Sequence, residues 1–334
     1  MALDQKTDSP FEKSFMRVLI TGGMGVIGSF VAEKFVREGH RPVLYARHKD
    51  ENLIRDILNR VDIELGDILD LPRLLQVIKA HRITHIVHTA AFVGALSQAN
   101  PALSVQVNVM GTVNVLEAAR LFEVQRVVYT SAKGVYGDVR GEYAHPTYKP
   151  LPEEHAKNPV RIYDAAKFMG ENMGQFYLDH YGIDFIALRF STTYGPGKTA
   201  RHGKMGVTSA IVENPFYGKP FRMTQGGEQR DDFVYNKDAA LGVYQACLAK
   251  GLKQRVFNIG TGVGITMRDF ARVIQSYLPQ ADIEIGPGLN YLDSPTSYYS
   301  IYDISKARAE LDYQPQFDLA RGIADYLEIL KQTA

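Results

Sequence analysis

The chain has 334 residues, 38 basic against 37 acidic side chains, a formal net charge of +1 and 45% hydrophobic content. That length allows a sizeable core in one large or two unequal domains, and the charge balance gives no electrostatic case for nucleic acid or a membrane surface. A single cysteine, Cys247, excludes an internal disulfide or thiolate metal cluster and fits a reducing, cytoplasmic setting, and no apolar run approaches the roughly 20 residues of a membrane-spanning helix.

Met1 to Ser14 is polar, without an apolar leader core, and reads as a frayed tail. Arg17–Thr21 then predicts a first strand that ends in glycines. Val26–Glu38 sets Ile27, Phe30, Val31 and Phe35 at helical spacing, and Gly39 stops it. Pro42–Ala46, Val61–Leu65, Ile83–Ala90 and Arg126–Ser131 predict four further strands, separated by helical patterns at Glu51–Asn59, Leu71–Ala80 and Ala102–Phe122. A helix follows Pro159 to about Tyr181, and Asp184–Phe190 is a sixth strand. Apolar strands alternating with helices predict a parallel sheet covered on both faces, a doubly wound α/β domain. Beyond Ser191 the rhythm breaks. Loop signals stand at Tyr194–Gly197, Gly203–Gly206 and Gln225–Glu228, among helices at Val207–Glu213, Asp238–Leu248, Met267–Leu278 and Leu319–Lys331 and a strand at Val256–Ile259.

Thr21-Gly-Gly-Met-Gly-Val-Ile-Gly28 lies between a strand and a helix, the setting in which a glycine loop can cradle a dinucleotide pyrophosphate. Gly22 can turn with positive φ, Gly25 lets the amides of Val26 and Ile27 approach phosphate, and Gly28 permits close helix–strand packing. The second strand ends in Ala46-Arg47-His48-Lys49 rather than in an acidic residue. A guanidinium in place of a ribose-binding carboxylate slightly favours NADP over NAD, unless these are only solvated loop charges. Asp67, after the third strand, is placed to meet the adenine amino group. The expected division is a dinucleotide-binding domain over 15–190, with 232–260 returning to it, and a smaller substrate-binding lobe from 191–231 and 261–334.

A Tyr and a Lys four apart on a helix bring phenol and ammonium onto one face, about 6 Å apart, where the cation assists acid–base work. With 19 tyrosines the spacing occurs four times, at Tyr45/Lys49, Tyr129/Lys133, Tyr163/Lys167 and Tyr302/Lys306. Tyr129 lies in a strand, where residues four apart are roughly 13 Å apart. Tyr45 belongs to the adenosine side and Tyr302 to the second lobe. Tyr163 and Lys167 remain as the catalytic pair.

Together these features resemble the extended short-chain dehydrogenase/reductases, in their NAD(P)-dependent epimerase/dehydratase branch, from about Arg17 to the C-terminus. The likeness includes His88-Thr-Ala-Ala91, Asn108 within Val-Asn-Val-Met-Gly-Thr-Val-Asn, Val135-Tyr-Gly137, Tyr194-Gly-Pro196, Gln229–Tyr235 and Asp303-Ile-Ser-Lys-Ala307. The resemblance implies a Rossmann-type fold, a homodimer, and hydride transfer at a secondary carbinol, with Tyr163 taking the hydroxyl proton. It adds Ile68, Ala90 and Asn108 to the cofactor contacts, and Thr192 and Arg230 to the substrate contacts.

The sequence also departs from that pattern. The usual Ser/Thr partner is Ala132, so either a bulge brings Ser131 into the site or Tyr163 works without that hydroxyl. Lys133 and Gly134 replace the Asp and Glu of sugar dehydratases, which argues against dehydration. Lys198, Arg201, His202 and Lys204 form a basic loop that could take an anion or stay solvated. His81, His85 and His88 come without a carboxylate cluster, so no metal is expected. The expected function is epimerase-type hydride transfer on a sugar-like, possibly nucleotide-linked, substrate. The alternatives are an NADP-dependent carbonyl reductase of a non-nucleotide substrate and a non-catalytic dinucleotide sensor; retention of both Tyr163 and Lys167 favours an enzyme.

Overall fold

The computed structural model describes residues 16–199 and 206–333. The expected tail, Met1 to Ser14, and Arg201, His202 and Lys204 of the basic loop lie outside the described residues. The chain opens with β1 (Val18–Thr21), α1 (Val26–Arg37), β2 (Val43–Ala46), β3 (Asp62–Leu65), α2 (Leu71–His81) and β4 (His85–His88). Asp70 caps α2 by accepting from the Arg73 amide, and Pro72 starts it, so this helix begins where its sequence says it should. The helix expected at Glu51–Asn59 is only a 3-10 turn over Arg55–Arg60, anchored by buried Ile57, with too few apolar positions to sustain a full helix.

Next come α3 (Gly94–Ala99), α4 (Pro101–Val105) and α5 (Gly111–Leu121), the last two joined by a π-helical turn over Gln106–Met110. β5 (Arg126–Ala132), α6 (Ile162–Tyr181) and β6 (Asp184–Phe190) follow. These strands form a parallel sheet in the order β3-β2-β1-β4-β5-β6, completed outside β6 by a later strand, Val256–Ile259. Strand residues alternate between two cores. In β5, Val128 joins Phe35 and Ile186 on one face, while Val127 and Tyr129 join Leu116 and Phe185 on the other.

The remaining elements are β7 (Thr192–Tyr194), α7 (Val207–Phe216), β8 (Phe221–Met223), β9 (Arg230–Tyr235), α8 (Asn236–Leu248), β10 (Val256–Ile259), β11 (Gly264–Thr266), α9 (Met267–Tyr277), β12 (Ile283–Ile285), α10 (Ser305–Leu311) and α11 (Leu319–Thr333). β11, β9 and β7 make a second sheet, and β12 pairs with β8. A third core, with Ile211, Phe233, Phe270 and Tyr326, lies beneath them. α8 packs against α1, which ties this part of the chain back to the large sheet.

The order of the large sheet reverses between β1 and β4, and the crevice at their carboxyl ends is the natural ligand site of such a sheet.

Candidate active site

The glycine loop occupies that crevice. Gly22 has φ +69°, and a Cβ there would stand 2.8 Å from the Ala90 amide nitrogen, so β1 and β4 can close together only with glycine at 22. A Cβ on Gly28 would lie 2.2 Å from the Gly22 carbonyl oxygen. The Gly25 amide donates to that same carbonyl at 2.8 Å, folding the loop back on itself. α1 then starts at Val26 with no side-chain cap and no acidic residue in its first turn. Its leading amides and positive dipole end therefore face the crevice uncontested, which suits a pyrophosphate. Gly22, Gly25, Val26, Ile27, Gly28 and Ala90 all line one cleft of about 340 Å³ together with Tyr163 and Lys167.

Other expected cofactor residues stand around this cleft with their side chains engaged. The Asn108 amide donates to the Phe92 carbonyl at 2.9 Å and accepts from the Phe92 amide at 2.8 Å, bracing the segment after β4. His88 is held between Thr21 and Thr112 at 2.7 and 3.1 Å, and burial lowers its pKa to about 3, so its ring is a neutral strut. At the adenosine end Arg47 is exposed at the close of β2, Asp67 accepts from the Leu69 amide at 2.9 Å, and buried Ile68 packs on Gly111.

Of the four Tyr-x-x-x-Lys spacings, three put their tyrosine in the core: Tyr45, Tyr129 and Tyr302 are at most 1% exposed. Their lysines pair with carboxylates, Lys49 with Glu51, Lys133 with Asp231 and Lys306 with Glu154. Lys167 differs. Its ammonium donates to the Thr130 carbonyl at 2.7 Å and lies 5.7 Å from the Tyr163 ring centre and 4.5 Å from that of Tyr129. Burial pushes its pKa down to about 7 against a smaller upward pull from Glu171, and burial likewise drives the Tyr163 phenol well above its ordinary value.

β5 pairs with β6 without interruption from Arg126↔Asp184 to Ala132↔Phe190, so there is no bulge to reorient Ser131. Ser131 donates to Glu171 at 2.5 Å, and Glu171 holds Arg189 in a buried ion pair at 2.6 Å. The Ser131 hydroxyl is turned to Glu171, so a catalytic part for it beside Tyr163 stands as a proposal. Ser131 lies at the cleft wall, but its proton is committed to Glu171, and Ala132 offers Tyr163 nothing.

Thr192 lines the cleft, accepting from Lys133 at 2.7 Å and donating to Asp231 at 2.8 Å. Arg230 starts β9, is exposed and stands outside the cleft walls. Sequence reasoning missed several groups that line the cleft: Arg161, Asp164, Tyr291 and Tyr298. The carboxylate of Asp164 fills the room that Gly134 leaves, since a Cβ at 134 would be 1.9 Å from its Oδ1. A signal existed in the glycine at 134, but its partner lies 30 residues away.

The sequence matches the family model of the NAD dependent epimerase/dehydratases over residues 18–260. It is 32% identical over 323 residues to a UDP-glucose 4-epimerase of Mycolicibacterium smegmatis, covering 95% of this chain and 99% of that one. The fold superposes on Thermotoga maritima UDP-glucose 4-epimerase with UDP-glucose at a TM-score of 0.83, with 26% identity and coverage of 95% and 99%. It also superposes on the Thermus thermophilus UDP-glucose 4-epimerase complex with NAD at 0.79, again with 26% identity, over 96% and 100%. A sequence match over most of the chain thus agrees with a sheet whose switch point carries a glycine cradle beside Tyr163 and Lys167. The chain belongs to the NAD-dependent epimerase/dehydratase family and is an NAD(P)-dependent enzyme of the extended short-chain dehydrogenase/reductase type.

Proposed function

We propose that the chain is an epimerase that oxidises a secondary carbinol of a nucleotide-linked hexose and reduces the resulting ketone from the other face. The observation that carries this reading is the single cleft in which the glycine cradle, Tyr163 and Lys167 meet. The similarity to UDP-glucose 4-epimerases makes a UDP-hexose the first candidate substrate.

The glycine cradle fits NAD(P): a Cβ at 22 or 28 would collide with the backbone of Ala90 or Gly22 that shapes it, and the uncapped start of α1 offers amides to the pyrophosphate. Gly22, Gly25, Val26, Ile27, Gly28 and Ala90 would hold the diphosphate side, with Asp67, Ile68 and Asn108 around the adenosine and ribose. Bound there, the nicotinamide supplies a site that takes up and gives back a hydride. Tyr163 removes the carbinol proton as the C–H bond breaks and returns it on reduction. Lys167, in its ammonium form, lowers the phenol's pKa from the high value that burial imposes, and is itself anchored by the Thr130 carbonyl. Thr192 and Arg230 are the proposed substrate contacts, with Thr192 fixed by Lys133 and Asp231.

The finer cofactor choice is NADP rather than NAD, on the strength of Ala46-Arg47 and the exposed position of Arg47 at the end of β2. A homodimer is proposed through the apolar, exposed side chains of α5 and α6, among them Leu121, Met169 and Phe176. The single cysteine, Cys247, is free and buried, in keeping with the proposed cytoplasmic setting.

The test is interconversion of UDP-glucose and UDP-galactose by the purified protein. Wild type is expected to equilibrate the two, and Tyr163→Phe to lose about a hundred- to ten-thousand-fold in kcat. Reduction of simple ketones by free NADPH, without interconversion, would favour the carbonyl-reductase alternative instead.

A further inference from the structure

The polar groups that line the cleft are nearly all spoken for. Ser131 donates to Glu171, Thr130 to the His88 carbonyl and Lys167 to the Thr130 carbonyl. Lys133 is held by Asp231 and Thr192, Arg161 by Ser294, and Lys198 by the Thr193 carbonyl. Two cleft-lining side chains differ besides Tyr163. Asp164 is 7% exposed, and among the described residues no hydrogen-bond donor meets its carboxylate. Tyr298, 4% exposed, has a buried hydroxyl beside Ser294 and Arg161 that meets neither in a well-formed hydrogen bond. The two are close enough for the Asp164 charge to help raise the Tyr298 pKa.

A carboxylate so deeply buried is costly unless donors reach it. It also has no structural substitute to explain it, because Gly134 opens the space for it and makes no bond to it. We propose that Asp164 is a specificity-determining residue that accepts a hydrogen bond from an O–H or N–H group of the substrate next to the reacting carbinol, with the Tyr298 hydroxyl beside it. The inference deepens the nucleotide-sugar reading by naming the group that recognises the sugar, and its hexose arm rests on that reading. A ketone or alcohol without a neighbouring donor would leave the carboxylate uncompensated and is rejected.

The groups facing Asp164 are Arg161 at the N-cap of its helix, Tyr163 on that helix, the backbone of Gly134, and Tyr298 from the segment between β12 and α10. Lys133, Lys167 and Lys198 complete the charged lining of the cleft. Burial raises the Asp164 pKa to about 6, with Arg161 pulling the other way, so the accepting form is lost as pH falls through that value. Lys167 and Lys198 both titrate at about 7, so the pH effect is read as a difference between wild type and Asp164→Asn, which keeps the shape but has no ionisation.

The experiment is calorimetric binding of UDP, UDP-glucose, UDP-galactose and L-threonine, whose ammonium adjoins a secondary carbinol, to purified wild type, Asp164→Asn and Asp164→Ala. UDP is expected to bind all three proteins alike. Asp164→Ala is expected to weaken the UDP-hexoses at least about tenfold, the worth of one hydrogen bond to a charged group. Asp164→Asn should fall between, and wild type should lose more hexose affinity between pH 7 and pH 5 than Asp164→Asn does. If L-threonine alone depends on Asp164, the donor is an ammonium; if the hexoses do, it is a hydroxyl. If no compound distinguishes Asp164→Ala from wild type, the inference is wrong. Failure of UDP itself to bind wild type overturns the nucleotide reading alone, and the L-threonine arm still decides Asp164.

Discussion

Asp164 and Lys167 share one helix and one cleft, and burial works on them in opposite directions. A buried carboxylate with no described donor should destabilise the folded chain wherever it is ionised. Its folded pKa of about 6 exceeds the unfolded value of 3.8, so the folded state binds the extra proton between those values and stability falls as pH rises from 4 to 6. Asp164→Asn is therefore expected to stabilise the protein by about 1–3 kcal/mol at pH 7, measured by urea unfolding, and the gain should vanish below pH 4. A loss of stability at pH 7 would mean that the carboxylate has a structural partner. The sign follows from function taking precedence over stability at a binding site. Lys167 shows the complementary case: its ammonium is depressed to about 7 by burial and kept near by the Thr130 carbonyl and the Tyr129 ring.

At the scale of elements, α6 carries Tyr163, Lys167 and Glu171 at successive i, i+4 positions, so one helix face presents the proposed catalytic pair and then the anchor of a buried ion pair. Arg189 and Glu171 are 3% and 4% exposed, and Ser131 and Tyr136 join them through hydrogen bonds. Glu171→Ala leaves the Arg189 charge buried without its partner and is expected to cost about 3–5 kcal/mol by urea unfolding. An unchanged midpoint would show that β5, β6 and α6 do not depend on that pair. The large sheet was legible from sequence because most of its strands are buried on both faces and rich in apolar residues, the edge strand β3 being the exception. β9 was not legible. It contains Arg230, Asp231 and Asp232, which look like a solvated charge run, yet both aspartates are fully buried. Asp231 meets Lys133 at 2.6 Å, and Asp232 accepts the Thr261 and Gly262 amides at 2.8 and 2.9 Å. Those partners lie far along the chain, so no local pattern could announce them. The same distance hid Asp164 behind Gly134, while the glycine loop and the Tyr163–Lys167 pair were readable because their meaning depends only on neighbouring elements.

For the whole molecule, tyrosine takes the place that tryptophan would share in other chains. Tyr45, Tyr129, Tyr136, Tyr194, Tyr235, Tyr299, Tyr302, Tyr313 and Tyr326 are among the largest fully buried side chains. Each hydroxyl then wants a partner, as Tyr136 finds in Asn258 at 2.6 Å and Tyr235 in Asp325 at 2.7 Å. Tyr163 departs from this pattern by facing the cleft. Two expectations belong to this scale. Sedimentation should give a dimer for wild type and a monomer for Phe176→Glu; a monomeric wild type would remove the proposed interface. Arg47→Ala should lower the preference for NADP over NAD by roughly tenfold in equilibrium binding, and an unchanged ratio would mean that Arg47 meets no 2′-phosphate.

The most direct test of hydride transfer at Tyr163 uses UDP-glucose deuterated at carbon 4 of the sugar, with the purified protein and catalytic NAD(P). The expected result is UDP-galactose that keeps the deuterium at carbon 4, formed by wild type and about a hundred-fold or more slowly by Tyr163→Phe. UDP-galactose that has lost its deuterium to solvent, or equal turnover by Tyr163→Phe, would contradict it.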